Sequence, residues 1–194
     1  SIEESAVDAA ADIIAGTIDL DAPNGIGALN SIEMVGGTTI DADTTAAAAH
    51  IALSNVSDRD TTLQAISTTG ADANITIAQA GSGTLNAASA ITTTDGDIAI
   101  TSADSDIQLT TVTAGTDGNI NVTSTIASIS QAAGTIQAVD GGVALTAGQD
   151  VSVVAVDANA NTMSGNTVAI KINADRTVAV AAGSTGLVAV DGTE

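Results

Sequence analysis

"TDGDIAI" occupies Thr94 to Ile100, and "TDGNINV" occupies Thr116 to Val122, 22 residues later. A chain that writes one phrase twice at a fixed distance revisits one local geometry. Each copy joins an Asp-Gly corner to an apolar-x-apolar triplet. Alternation of period two makes the triplet a strand with one buried face. Ile98 and Ile100 point inward with Ala99 outward, and Ile120 and Val122 point inward with Asn121 outward. "VAL", Val143 to Leu145, repeats the pattern. Strands this short cannot fold alone, and a period of 20 to 50 residues buries its faces only by stacking one unit on the next.

Two interleaved rows extend the pattern. One begins at Ile51, Ile75, Ile98, Ile120, Val143 and Val168, in steps of 24, 23, 22, 23 and 25. The other begins at Ile18, Ile40, Leu63, Leu85, Ile107, Ile129 and Val151, in steps of 22, 23, 22, 22, 22 and 22. Val178 and Val190 continue them less regularly. A period of about 22 residues closes one turn of an all-β parallel solenoid, with equivalent residues about 4.8 Å apart. The expectation is roughly eight turns over residues 18–194. Residues 1–17 form either a cap or an irregular first turn. Ile2, Val7, Ala10 and Ile14 suit one face of a short helix, with Glu3 and Glu4 near its N-terminus. The chain stops just after Asp191-Gly192, where a new strand is due. The expectation is a shaft cut in mid-repeat or completed by another molecule.

Corners fall where the strands end. Asp95-Gly96, Asp117-Gly118 and Asp140-Gly141 each precede a strand of the first row. Glycine is expected there for positive φ, and aspartate for bonding its own backbone. Ala80-Gly81, Ala114-Gly115, Ala133-Gly134, Ala147-Gly148 and Ala182-Gly183 read as further corners.

Composition agrees with a thin, layered core. The 194 residues are 44% hydrophobic yet include no Phe, Tyr or Trp. Aromatics bury the most area in an ordinary globular core; here Ile, Val, Leu and Ala must serve. A mean hydropathy of +0.35 and the paired β-branched residues argue against a disordered acidic chain. Net charge is −20, from 23 acids against Arg59, Lys171 and Arg176. Nucleic acid requires the opposite balance, and anionic membranes repel this one. No run of about 18 apolar residues exists to cross a bilayer. With no cysteine there are no disulfides and no thiolate metal sites.

Three stretches carry a family resemblance: "IDLDAPNGIGALNSIEM" (Ile18 to Met34), "GTLNAASAITTTDGDIAITSADSDIQLTTVTAG" (Gly83 to Gly115) and "GGVALTAGQDVSVVAV" (Gly141 to Val156). They resemble the repeats of filamentous-haemagglutinin-like bacterial exoproteins. The resemblance implies a right-handed parallel β-helix, an extracellular or cell-surface location, and a role in adhesion or scaffolding. The family's secretion domain is not recognisable in this sequence.

Candidate chemistry is sparse. His50, the sole histidine, lies just before a first-row strand and reads as a corner residue rather than a base. No serine has a G-x-S-x-G setting. Three scattered cations do not make a cleft for acidic polysaccharide, and a glycosidase pair of carboxylates lacks an aromatic platform for its sugar. The chain is therefore not expected to be an enzyme. Asp95, Asp117 and Asp140 are expected to stack as a column that could take calcium, with Asp97 and Asn119 as a shorter column beside it. Thr101, Thr123 and Thr146 form a single threonine row, and paired threonine rows are the mark of ice-binding solenoids. Asn55, Asn74 and Asn121 match the N-glycosylation sequon. The expected function is a structural segment of a fibre, adhesin or sheath that self-associates head to tail. A calcium- or ice-binding module is the alternative.

Overall fold

The computed structural model describes residues 1–4, 10–158, 170–181 and 188–192. The chain is an all-β parallel β-solenoid of about seven turns with roughly 23 residues per turn, and no helix occurs among the described residues. The first face is a nine-stranded sheet. Its strands are Ile13–Ile14, Ile32–Val35, Ile51–Val56, Ile75–Ala80, Ile98–Ser102, Ile120–Ser124, Val143–Ala147, Ile170–Ala174 and Val188–Gly192. Ile51, Ile75, Ile98, Ile120 and Val143 stand one over the next, as their spacing predicts. The next member is Ile170, paired with Val143, rather than Val168, which lies outside the described residues. Isolated bridges carry the same column back through Ile26 to Ile2. At the N-terminus Ile2 and Ile13–Ile14 pair as strand backbone. Val7 of the expected helix lies outside the described residues.

The second sheet has twelve strands and folds into two faces. One is built from Thr17–Asp21, Thr39–Thr44, Thr61–Thr68, Leu85–Ala87, Ile107–Leu109, Ile129–Gln131, Val151–Val153 and Val178–Val180. The other adds Ile91–Asp95, Val112–Thr116, Ile136–Ala138 and Val156–Ala158. Thr61–Thr68 is the branch point. Its first half pairs with Leu85–Ala87 and its second half with Ile91–Asp95. A register shift against Thr39–Thr44 marks the start of the new corner. The second row therefore slips by two residues: Leu85 lies over Thr61, and Ala87 lies over Leu63.

The third face is a row that spacing does not reveal. Leu20, Ala42, Ile66, Ile91, Val112, Ile136 and Val156 are stacked in register. Their steps run 22, 24, 25, 21, 24 and 20, because the loops at this corner vary in length. These uneven loops, with a 27-residue step from Val143 to Ile170, lengthen the mean period and bring the turn count to about seven.

Inside, the stacked aliphatic columns merge into one core. The lumen is filled by stacked Ile, Val, Leu and Ala side chains, with Met34 in one early turn. At the end of the first face the inward column turns polar: Asn55, Gln79, Ser102 and Ser124 follow one another, then Ala147 and Ala174. Most of their polar atoms find partners as burial demands, the exception being Asn55 Oδ1, which is buried without one. Asn55 Nδ2 donates to the Gly37 carbonyl and to Thr61 Oγ1 at 3.0 Å each, and Gln79 Nε2 donates to the Gly83 carbonyl at 2.6 Å. Ser124 Oγ donates to the Ser105 carbonyl at 3.0 Å.

The Asp-Gly corners obey a rule other than the expected one. Gly96 has φ of 140°, but Gly118 and Gly141 are not in the left-handed region, and Asp117 itself takes φ of 58°. Gly118 lies directly against the Gly96 carbonyl, and Gly141 against that of Gly118. The glycines are required because the previous turn passes too close for any Cβ. Gly81 and Gly134 do have positive φ, whereas Gly115 and Gly148 also sit against carbonyls of the preceding turn. Ala182-Gly183 lies outside the described residues.

Candidate functional site

The corner before the first face carries a continuous side-chain ladder. The Asn74 N–H donates to His50 Nδ1 at 3.0 Å, and the Asp97 N–H donates to Asn74 Oδ1 at 2.8 Å. Asp97 Oδ1 accepts from the N–H and the Nδ2 of Asn119, at 2.8 and 3.0 Å. Asn119 Oδ1 then accepts from the Gly142 N–H at 3.0 Å. Each side-chain oxygen caps a backbone donor one turn on, where the sheet ladder has ended. His50 is the first member of this stack, a corner residue as its sequence position implies. The Asp97 and Asn119 column exists, and its chemistry is backbone capping. A second corner repeats the device: Asp60 accepts from Thr84 N–H at 3.0 Å and Asp106 from Ser128 N–H at 2.9 Å.

Replacing Asp97 by alanine removes the acceptor of two hydrogen bonds on an exposed corner. The expected loss is about 0.5–1.5 kcal/mol, because water replaces part of what is lost. Asp97→Asn keeps the acceptor and is expected to stay near wild type. Urea midpoints of the two variants test the assignment, and equal losses would refute it.

Asp95, Asp117 and Asp140 do not share one register. Asp95 ends its strand beside Thr116, which leaves Asp117 one residue further on. Among the described residues the acidic groups that converge, with ligand oxygens within 4.8 Å of one another, are Glu4, Asp12 and Glu33. Asp12 Oδ2 also accepts from the Glu33 N–H at 2.9 Å. This trio escaped sequence reading because Glu4 precedes the first row. The available signal was the 21-residue step from Asp12 to Glu33, close to one period. An all-carboxylate set suits a hard cation.

A second acidic array covers the outer surface of the first two turns. Asp19 pairs with Asp41 and Asp21 with Asp43, and Ser67 Oγ donates to Asp43 Oδ1. Burial pushes the Asp41 carboxyl above its ordinary 3.8; Asp43, Asp19 and Asp21 add to the rise, and a backbone hydrogen bond from Ala65 opposes it. A raised folded-state pKa means that the charged form is disfavoured by folding. Its stabilising contribution is complete below the unfolded value of about 3.8 and is lost as pH rises through the folded value. Asp41→Asn is therefore expected to stabilise the chain at pH 7 by about 0.2–1 kcal/mol, the scale of a cross-strand like-charge pair. The gain should vanish below about pH 4. Thermal midpoints of both proteins across pH test this, and a gain that persists in acid would contradict it.

Thr101, Thr123 and Thr146 do stack in register on the outer side of the first face. The neighbouring column reads Thr76, Ala99, Asn121, Ala144 and Lys171, so no second threonine row accompanies them. Of the sequons, Asn55 is 2% exposed with its amide engaged inside, whereas Asn121 faces solvent. Arg176 joins Asp150 at 3.8 Å and Gln149 Oε1 at 3.1 Å.

Comparison with protein-family models, curated proteins and solved structures finds no match to this chain.

Proposed function

We propose that this chain is a structural segment of a bacterial extracellular fibre, surface adhesin or sheath, and that it joins head to tail with further copies. The observation that carries this reading is the parallel ladder that runs from turn to turn on three faces among the described residues, with polar corner ladders between turns. Such a body is a stiff rod of fixed repeat, and its acidic corners keep it dispersed until specific contacts form. Solenoid ends are open β-edges, and a heterologous contact between unlike ends propagates into filaments. The resemblance to filamentous-haemagglutinin-like exoproteins supports the same use and a surface location.

Electron microscopy of the purified chain across concentrations, with calcium and with chelator, tests the proposal. Filaments in both conditions are expected. Isolated short rods at every concentration would overturn self-assembly. Filaments only with calcium would favour the alternative reading, a cation-binding module using acidic groups such as Asp95, Asp117 and Asp140 or Glu4, Asp12 and Glu33. The in-register column Thr101, Thr123 and Thr146 motivates ice binding as a further form of that alternative, and thermal hysteresis measures it directly.

A further inference from the structure

Three large apolar side chains that face solvent stand in one ladder. Ile14, Val35 and Val56 are 80%, 42% and 50% exposed, and pairing sets Ile14 beside Val35 and Val35 beside Val56. The next turn places Ala80 at this position. Single exposed aliphatics are ordinary, whereas three on consecutive turns form a contiguous patch that marks a contact. A groove of about 300 Å³ runs beside the stripe, lined by Val35, Gly36, Val56, Ser57, Asp58 and Arg59. Gly36, with φ of 74° and open space where a Cβ would stand, keeps it open.

Charge decides what can cover this surface. Arg59 forms no ion pair among the described residues, unlike Arg176. It sits next to Asp58 at the Val56 end of the stripe, while Asp12 and Glu33 stand two residues before Ile14 and Val35. Arg59 is one of three cations in the chain, and its place beside Asp58 makes this end of the stripe self-complementary in charge.

We infer that this stripe is a lateral contact between two copies of the chain, related by a two-fold axis. In an isologous arrangement the same patch serves both partners. Ile14, Val35 and Val56 of each copy pack on those of the other, and each Arg59 meets the other copy's Asp58. Three side chains and a groove fall well short of the roughly 1,000 Å² that a stable interface buries. The pairing is accordingly weak, and it strengthens with salt as repulsion between the acidic bodies is screened. This contact is separate from end-to-end joining: it closes at two copies, whereas the other grows without limit.

Sedimentation velocity of the full chain, up to millimolar concentration and with added salt, tests it. A concentration-dependent dimer is expected. The double substitution Val35→Ser, Val56→Ser should weaken it about tenfold, and Arg59→Asp should weaken it similarly. Ile126→Ser, which removes an exposed aliphatic elsewhere (56% exposed), should leave it unchanged. Far-UV circular dichroism confirms that each variant keeps its strands. A wild type that stays monomeric throughout overturns the inference, as does equal association of the stripe variants. Longer open-ended species that survive in the stripe variants, without a discrete dimer in the wild type, overturn the lateral contact while leaving head-to-tail assembly intact.

Discussion

Ile98→Ala is expected to lower the unfolding free energy by about 2–5 kcal/mol, with the result in the upper half of that range. Ile98 is 0% exposed and stands between Ile75 below and Ile120 above. Cavities cost most where their walls cannot relax. Here the walls are held by the ladder itself: the Ile75 N–H bonds the Asp97 carbonyl at 2.9 Å, and the Ile98 N–H bonds the Asn119 carbonyl at 2.8 Å. Neighbouring turns cannot close the gap without breaking those bonds. No aromatic side chain is present to swing into the space. Thr101→Ala, on the outer side of the same strand, is the control and is expected to fall within about 0.5 kcal/mol of wild type. Urea titration reads both. In a stacked array a deep central lesion can also split the unfolding into two parts, which appears as a smaller m-value. A loss under about 1 kcal/mol at constant m would mean that the column is not a packed core.

Gly118→Ala is expected to destabilise by about 1–3 kcal/mol, the scale of overpacking, although it adds a single methyl group, because this corner glycine is buried. A Cβ at this position would run into the Gly96 carbonyl oxygen well inside van der Waals contact, and would also crowd the Ala114 Cβ at 3.0 Å. The obstacle is backbone of the preceding turn, so no rotamer change relieves it. The same replacement at Gly36 meets no atom within 4 Å, and the cost there comes from its φ of 74° alone. Thermal midpoints of Gly118→Ala and Gly36→Ala separate the two causes. If Gly118→Ala proves neutral, the turns are not packed at backbone contact along this corner. The result also bears on the repeated Asp-Gly phrase. Asp117, already at φ of 58°, supplies the left-handed residue, and its glycine supplies clearance.

Much of this architecture was legible in the residues. A parallel coil follows from the near-constant steps between Ile51, Ile75, Ile98, Ile120 and Val143, because identical turns need identical chain lengths. Alternation in "IAI", "INV" and "VAL" decides which side chains enter the lumen, since a strand has no other periodicity. The absence of aromatics foretells a thin core, and His50 as a corner residue follows from its place before a strand. What only the tertiary structure decided lies where loop length varies. The third face, from Leu20 through Ile66 to Val156, has uneven steps because hydrogen bonding fixes register across turns but leaves the corner loops free in length. The two-residue slip at Leu63 shares that origin, whereas Ile14, Val35 and Val56 recur at even 21-residue steps and only their exposure is decided by the tertiary structure. The slip is a relation between turns, set by which residue lies over which, and spacing along one chain cannot count residues that bulge out of the ladder.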